Sequence, residues 1–236
     1  MTSRSLFLLG GTEALAAMTP DWLARTRLDA TDKDVIGTDA IGADATNTGA
    51  SGGAPARLVI LACGAGWQGH MSTYTRHWGA QNVQFIGPDD NGALDLNRAT
   101  ALISGASGLC VAGGDTALYH SLYGVGLLRE LLRACYAAGI PYAGLSAGAL
   151  LAMDTCVLYP PDTADIALLP GLGLLPDTLV GVHFSSAGGA SAFEPVMEEV
   201  PASAVWGIDD DACAVFEDER FVGKLGGAVY RLGSRG

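Results

Sequence analysis

Long apolar runs are missing from this 236-residue chain. Nowhere do 18 consecutive apolar residues occur, so no membrane partner or membrane-spanning helix is expected. Basic residues are scarce as well: 13 Lys and Arg stand against 25 Asp and Glu, a formal net charge of −12. No basic cluster offsets that balance locally, which argues against a nucleic-acid partner and favours a cationic or small neutral one. Cysteine is sparse, odd in number and scattered (Cys63, Cys110, Cys135, Cys156 and Cys213), with no C-x-x-C pair. A zinc or thioredoxin-like site is therefore not supported, and the five thiols read as reduced structural residues. Neither a metal nor a cofactor is expected. Aromatics make up only 7% of residues, so the core must rely on Val, Leu, Ile and Ala. The opening MTSRSLFLLGGTE has an apolar run too short for a secretory leader, and it ends in Gly10-Gly11 and an acid. The expected compartment is the cytoplasm.

What the chain does have is apolar content and glycine. Hydrophobic residues reach 49%, mean hydropathy is +0.29, and there are 33 glycines. One α/β domain over residues 1–236 fits that length and composition. Short apolar runs alternate with helix-like stretches, the pattern of βαβ units around a mostly parallel sheet. Strands are expected at 5–11, 57–66, 82–87, 108–114 and 140–148. Helical stretches are expected at 13–25, where Pro20 must start, kink or divide the helix, then at 96–106 and 116–138, and from the 144–148 turn to about Met153. After Pro170 the text becomes strand-rich, at 177–184, 204–209, 212–217 and a closing pair around 221–232, which predicts an antiparallel extension of the main sheet. Residues 29–55, rich in Ala, Gly, Thr and Asp without apolar periodicity, read as a loop insertion.

The central motif is GLSAGAL, Gly144 to Leu150, a G-x-S-x-G directly after an apolar strand and before a helix. That is the setting of a nucleophile elbow, where the turn is so tight that both flanking positions must be small. The geometry would expose the Ser146 hydroxyl and aim backbone N–H groups towards it. A second glycine turn, VAGGDT at 111–116, ends the preceding strand; in a parallel sheet both turns open at the carboxyl edge. The N–H groups of Gly114 and Ala147 are the candidate oxyanion donors. A serine nucleophile needs a base, and four histidines are available. His70 and His77 read as solvated, His120 as a packed helical residue, and His183, at a strand terminus downstream of the elbow, as the best-placed base.

GGDT, GLSAGA, PGLGLL (170–175), VHF (182–184) and WGIDDDACAV (206–215) follow one another in an order that resembles the dipeptidase E and cyanophycinase family of serine peptidases. The resemblance spans about 57–217 and the first strand, leaving 29–55 outside. It implies a class I glutamine-amidotransferase-like fold, a flavodoxin-like three-layer sandwich, with Ser146 as nucleophile, His183 as general base, and hydrolysis of small peptides or isopeptides. It further implies a third triad member between Ser146 and His183, an interval holding Asp154, Asp162, Asp165 and Asp177. Asp162, in YPPDTAD, is the favoured acid, with Asp165 close behind. Asp115, with Thr116 beside it, is the candidate substrate-binding residue, its carboxylate either meeting a substrate amino group or capping the following helix. The stretch 185–199, SSAGGASAFEPVMEE, has no Lys or Arg where members of the family carry basic residues, which argues against recognition of an acidic group. Two other readings stay open, a glutamine-amidotransferase-like enzyme and a non-catalytic binding or sensing module on the same fold. The sequence also leaves room for a homodimer.

Overall fold

Apolar runs of four or five residues become the fully buried strands of a central sheet. The computed structural model of the protein describes residues 3–26, 57–159 and 165–233; the 29–55 insertion and Asp162 lie outside them. In chain order β1 (Ser5–Leu9) and α1 (Leu15–Thr26) precede β2 (Leu58–Leu61), α2 (Met71–Trp78), β3 (Val83–Ile86) and α3 (Leu96–Ser104). Next come β4 (Gly108–Val111), α4 (Thr116–Tyr123), α5 (Gly126–Ala137), β5 (Tyr142–Leu145) and α6 (Ala147–Ala152). The last part comprises β6 (Thr155–Leu158), β7 (Ala167–Pro170), β8 (Thr178–Val182), α7 (Gly189–Glu199), β9 (Ala204–Ile208), β10 (Ala212–Glu217), β11 (Arg220–Gly226) and β12 (Val229–Leu232).

The main sheet has seven strands in the order β11-β10-β1-β5-β4-β2-β3. From β1 to β3 every pairing is parallel, and β10 and β11 add to the β1 edge antiparallel. Strands buried on both faces need helices over them, which is why their sequences are continuous apolar runs instead of alternating ones. Helix α1 meets this need through Trp22, whose ring packs edge-on against Phe7 of β1 at 5.4 Å and lies 5.9 Å from Trp78 of α2. Pro20 sits inside α1 without ending it. The α/β class, the mostly parallel sheet and its antiparallel extension all follow the sequence expectation.

The extension is smaller than expected. Only β10 and β11 join the main sheet. β8, β9 and β12 form a separate three-stranded sheet in which β8 and β9 run parallel, with Val182 beside Ile208. The closing pair is not a hairpin: β11 pairs with β10, and β12 with β9. Strand spacing alone suggested hairpins, but the crossover through α7 between β8 and β9 permits parallel pairing. Gly188, Gly189 and Pro195 obscure that helix in the sequence, although Phe193 and Val196 bury one face. The two-stranded β6–β7 ribbon was missed.

Candidate active site

Ser146 stands between β5 and α6 with φ 49° and ψ −109°, a backbone conformation that costs energy in any L-residue and persists only where its surroundings enforce it. The enforcement is visible. Ser146 N donates to Leu9 O at 2.9 Å, while its carbonyl accepts from Ala149 N at 2.8 Å and Leu150 N at 3.1 Å. The flanking glycines are steric necessities: a Cβ on Gly144 would collide with the carbonyl of Gly148, and one on Gly148 with the carbonyl of Val111 in β4. Gly148→Ala therefore forces backbone against backbone, which no side-chain rotation relieves. We expect a loss of about 1–3 kcal/mol or more, read as a melting temperature several degrees lower, together with slower modification of the serine.

His183 lies immediately after β8, also at positive φ, 51°. Its Nε2 is 2.8 Å from Ser146 Oγ, and its Nδ1 makes a short hydrogen bond with Asp210 Oδ1. The other Asp210 oxygen accepts from Ser186 Oγ at 2.7 Å. The bond from His183 holds the Asp210 carboxyl below the usual carboxylate range, with Ser186 lowering it further and partial burial opposing both. The imidazole and the carboxylate are 42% and 40% exposed, so water screens their attraction.

Among the described residues the acid that contacts His183 is Asp210, downstream of the histidine. The described acids between Ser146 and His183 have other surroundings. Asp165 is exposed, Asp154 accepts from Asp177 N at 2.9 Å, and Asp177 accepts from Ser203 N at 3.1 Å. Asp210 arrives by strand register. Because Val182 of β8 lies beside Ile208 of β9, the next residues on each strand, His183 and the Asp209–Asp211 turn, are brought together. The stretch GIDDDACAV held that signal, three acids in a tight turn between two apolar strands, but the parallel pairing that makes it useful is not written locally. The neighbouring acid has other duties: Asp209 accepts from Ser185 N at 2.9 Å and from the Tyr230 hydroxyl at 3.0 Å. Gly10 and Gly11 let this turn approach the end of β1, since a Cβ on either would strike the carbonyl of Asp209 or Asp210.

The remaining expected residues separate into two groups. Gly114 lines the same cavity as Ser146, at φ 147°, while Ala147 is fully buried one residue past Ser146. Among the described residues neither amide donates to a backbone carbonyl. Asp115 and Thr116, by contrast, do not line the cavity. The Asp115 carboxylate accepts from Leu118 N at 2.8 Å and caps α4, the alternative that its position before a helix already offered. His120 is buried in α4 with Nε2 3.0 Å from Pro170 O, away from Ser146. His70 is exposed, as expected, and also lines the cavity.

That cavity, about 440 Å³, is built from loops at the carboxyl ends of β1, β2, β4 and β5. Among the described residues lining it there is no Lys or Arg. None of the five cysteines is in a disulfide; burial pushes the Cys135 thiol up to about 11 and Cys156 to about 12, so neither is a ready thiolate. Among the described residues no group of three or more His, Cys, Asp and Glu is arranged to hold a metal ion, and no helix is long and apolar enough to cross a membrane.

A serine–histidine–aspartate constellation on an α/β sheet defines a class of site that recurs on unrelated folds, so the lineage has to come from comparison. The model of peptidase family S51 matches residues 91–223, more than half of the chain, and the chain belongs to that family. It is 27% identical over 158 residues to a cyanophycinase of Synechococcus elongatus, covering 64% of this chain and 49% of the relative. Against a cyanophycinase of Trichormus variabilis it is 25% identical over 154 residues, covering 63% and 52%. The chain spans about half the length of these curated relatives. A solved peptidase from an acI-B1 Actinobacterium has the same fold, with a TM-score of 0.64, 16% identity, and coverage of 98% of this chain and 95% of that one. A Listeria monocytogenes EGD-e structure described as a peptidase E covers 98% and 100%, with a TM-score of 0.60 and 11% identity.

Proposed function

We propose that the protein is a serine-type peptidase that hydrolyses small peptides or isopeptides by acyl transfer. The observation that carries this reading is the chain of contacts from Ser146 Oγ to His183 Nε2 at 2.8 Å and on from Nδ1 to Asp210. Ser146 Oγ attacks the scissile carbonyl carbon as His183 Nε2 takes its proton. Asp210 accepts from Nδ1–H, which fixes the tautomer and stabilises the imidazolium. The N–H groups of Gly114 and Ala147 donate to the developing oxyanion, each worth about 3 kcal/mol of barrier in such sites. The imidazolium then protonates the leaving amine, and water, activated by the same imidazole, hydrolyses the acyl-enzyme. This chemistry calls on no metal or cofactor.

Cavity size supports a small substrate. About 440 Å³ accommodates a short peptide, not the surface of a folded protein. A fluorophosphonate probe tests the reaction class directly. We expect stoichiometric modification of the folded protein at Ser146, located by peptide mass mapping; a folded protein that stays unmodified, or one modified elsewhere, removes the reading.

A further inference from the structure

Glu13 is the acid on the cavity wall that the triad does not use. Its position follows from the glycine turn that ends β1. After Gly10-Gly11 the chain makes a single 3-10 turn over Thr12–Ala14, with Ala14 buried and Glu13 exposed. The Glu13 carboxylate folds back over Gly11. The point where a Cβ on Gly11 would lie is 2.8 Å from Glu13 Oε2 and 2.7 Å from the carbonyl oxygen of Asp210. Glu13 thus sits beside the backbone of the triad acid, at the reacting end of the cavity.

That carboxylate is poorly engaged. Its side-chain hydrogen bond is a long one, 3.5 Å from Thr12 Oγ1. The ion pairs among the described residues join Arg4, Arg25, Arg129 and Arg133 to other acids, and His183 to Asp210; none includes Glu13. With no Lys or Arg on the wall, the cavity carries two carboxylates, of which His183 engages only Asp210. An acidic side chain entering it would meet like charge without a counter-ion. A cation would find a carboxylate with free lone pairs.

Aromatic residues make up another part of the cavity wall. Trp67, Tyr74 and Phe85 line it, with Trp67 and Phe85 rings 6.2 Å apart. Trp67 is fixed by Nε1 donating to Pro88 O at 2.9 Å and by close packing on Gly87, where a Cβ would collide with its ring. Aromatic rings attract ammonium and guanidinium groups, so this part of the wall is compatible with a cationic substrate.

We propose that Glu13 is a specificity-determining residue: it binds a cationic group of the substrate, an α-ammonium or a basic side chain, so the enzyme selects cationic peptides and discriminates against aspartyl ones. The proposal rests on the reading of Ser146 as a peptide-hydrolysing nucleophile. Four dipeptides separate the sources of charge: acetyl-norleucyl-alanine carries no cation, norleucyl-alanine only the α-ammonium, and acetyl-lysyl-alanine only the side-chain ammonium, while aspartyl-alanine adds a carboxylate. We expect wild-type kcat/KM at least tenfold higher for one of the two cation-bearing peptides than for the cation-free one, with aspartyl-alanine below norleucyl-alanine. Glu13→Gln should collapse that preference mainly through KM. A preference that survives Glu13→Gln, or a wild-type preference for aspartyl-alanine, overturns the proposal. Calorimetric titration of the same peptides into Ser146→Ala and Ser146→Ala/Glu13→Gln proteins reads the preference without turnover. Cation-selective binding with no wild-type hydrolysis would sink the peptidase reading alone; hydrolysis without cation selectivity would sink this one alone.

Discussion

Ser146→Ala is expected to reduce kcat for peptide hydrolysis by roughly 10⁵- to 10⁶-fold, the scale seen when a triad nucleophile is removed, with almost no change in stability. The two halves of that expectation have separate causes. Rate is lost because no other group occupies the position 2.8 Å from His183 Nε2. Stability survives because alanine adopts the same φ of 49° with no more strain than serine, and the glycines that shape the turn are untouched. The hydroxyl's hydrogen bond with His183 is worth about 1 kcal/mol, or about 2–4 °C in melting temperature for a chain of this size. Steady-state kinetics beside differential scanning calorimetry check both at once. Retained turnover in a folded variant would remove Ser146 from the mechanism.

Asp210→Asn has the second largest expected effect. An amide in this place offers His183 an N–H donor or a weaker acceptor, so the imidazole can settle in the tautomer whose Nε2 is protonated and cannot take the serine's proton. Comparable substitutions lower kcat by roughly 10⁴-fold with geometry preserved. The decisive comparison is with Asp162→Asn: we expect that variant to retain activity, and the reverse pattern would mean that the contact between Asp210 and His183 is not the productive one. Stability adds an independent readout. The folded-state pKa of Asp210 is depressed, so its contribution to stability is present above the ordinary carboxylate value, about 3.9, and is lost as pH falls through the lower native value. Acid melts of wild type should therefore fall more steeply below pH ~4 than those of Asp210→Asn. The difference will be modest, since the carboxylate is 40% exposed.

The parts of this architecture that were legible beforehand are those encoded within a few residues. Fully apolar runs such as LFLL and LVIL can only be strands covered on both sides. G-x-S-x-G after one of them can only make its turn with small neighbours, a constraint that the carbonyls of Gly148 and Val111 make literal. His183 was accessible as a strand-end residue. Asp210 was not, because its usefulness depends on β8 and β9 lying parallel in register across a helix that the glycines and proline of 188–195 disguise. The same limit applied to Asp115, where a cap and a substrate contact carry one local signature, and to His70, whose place on the cavity wall depends on the packing of α2 and its preceding turn.

The three residues of the proposed triad come from three different parts of the architecture. Ser146 stands on the main sheet, His183 on the small one, and Asp210 on the turn where the chain leaves β9 for β10. During synthesis, then, a nascent chain that has emerged only as far as residue 203 possesses the hydroxyl and the imidazole, yet has neither the acid nor the strand that completes the flank of β1. On the proposed reading, the full catalytic arrangement can assemble only after β9 and the turn that carries Asp210 have been made.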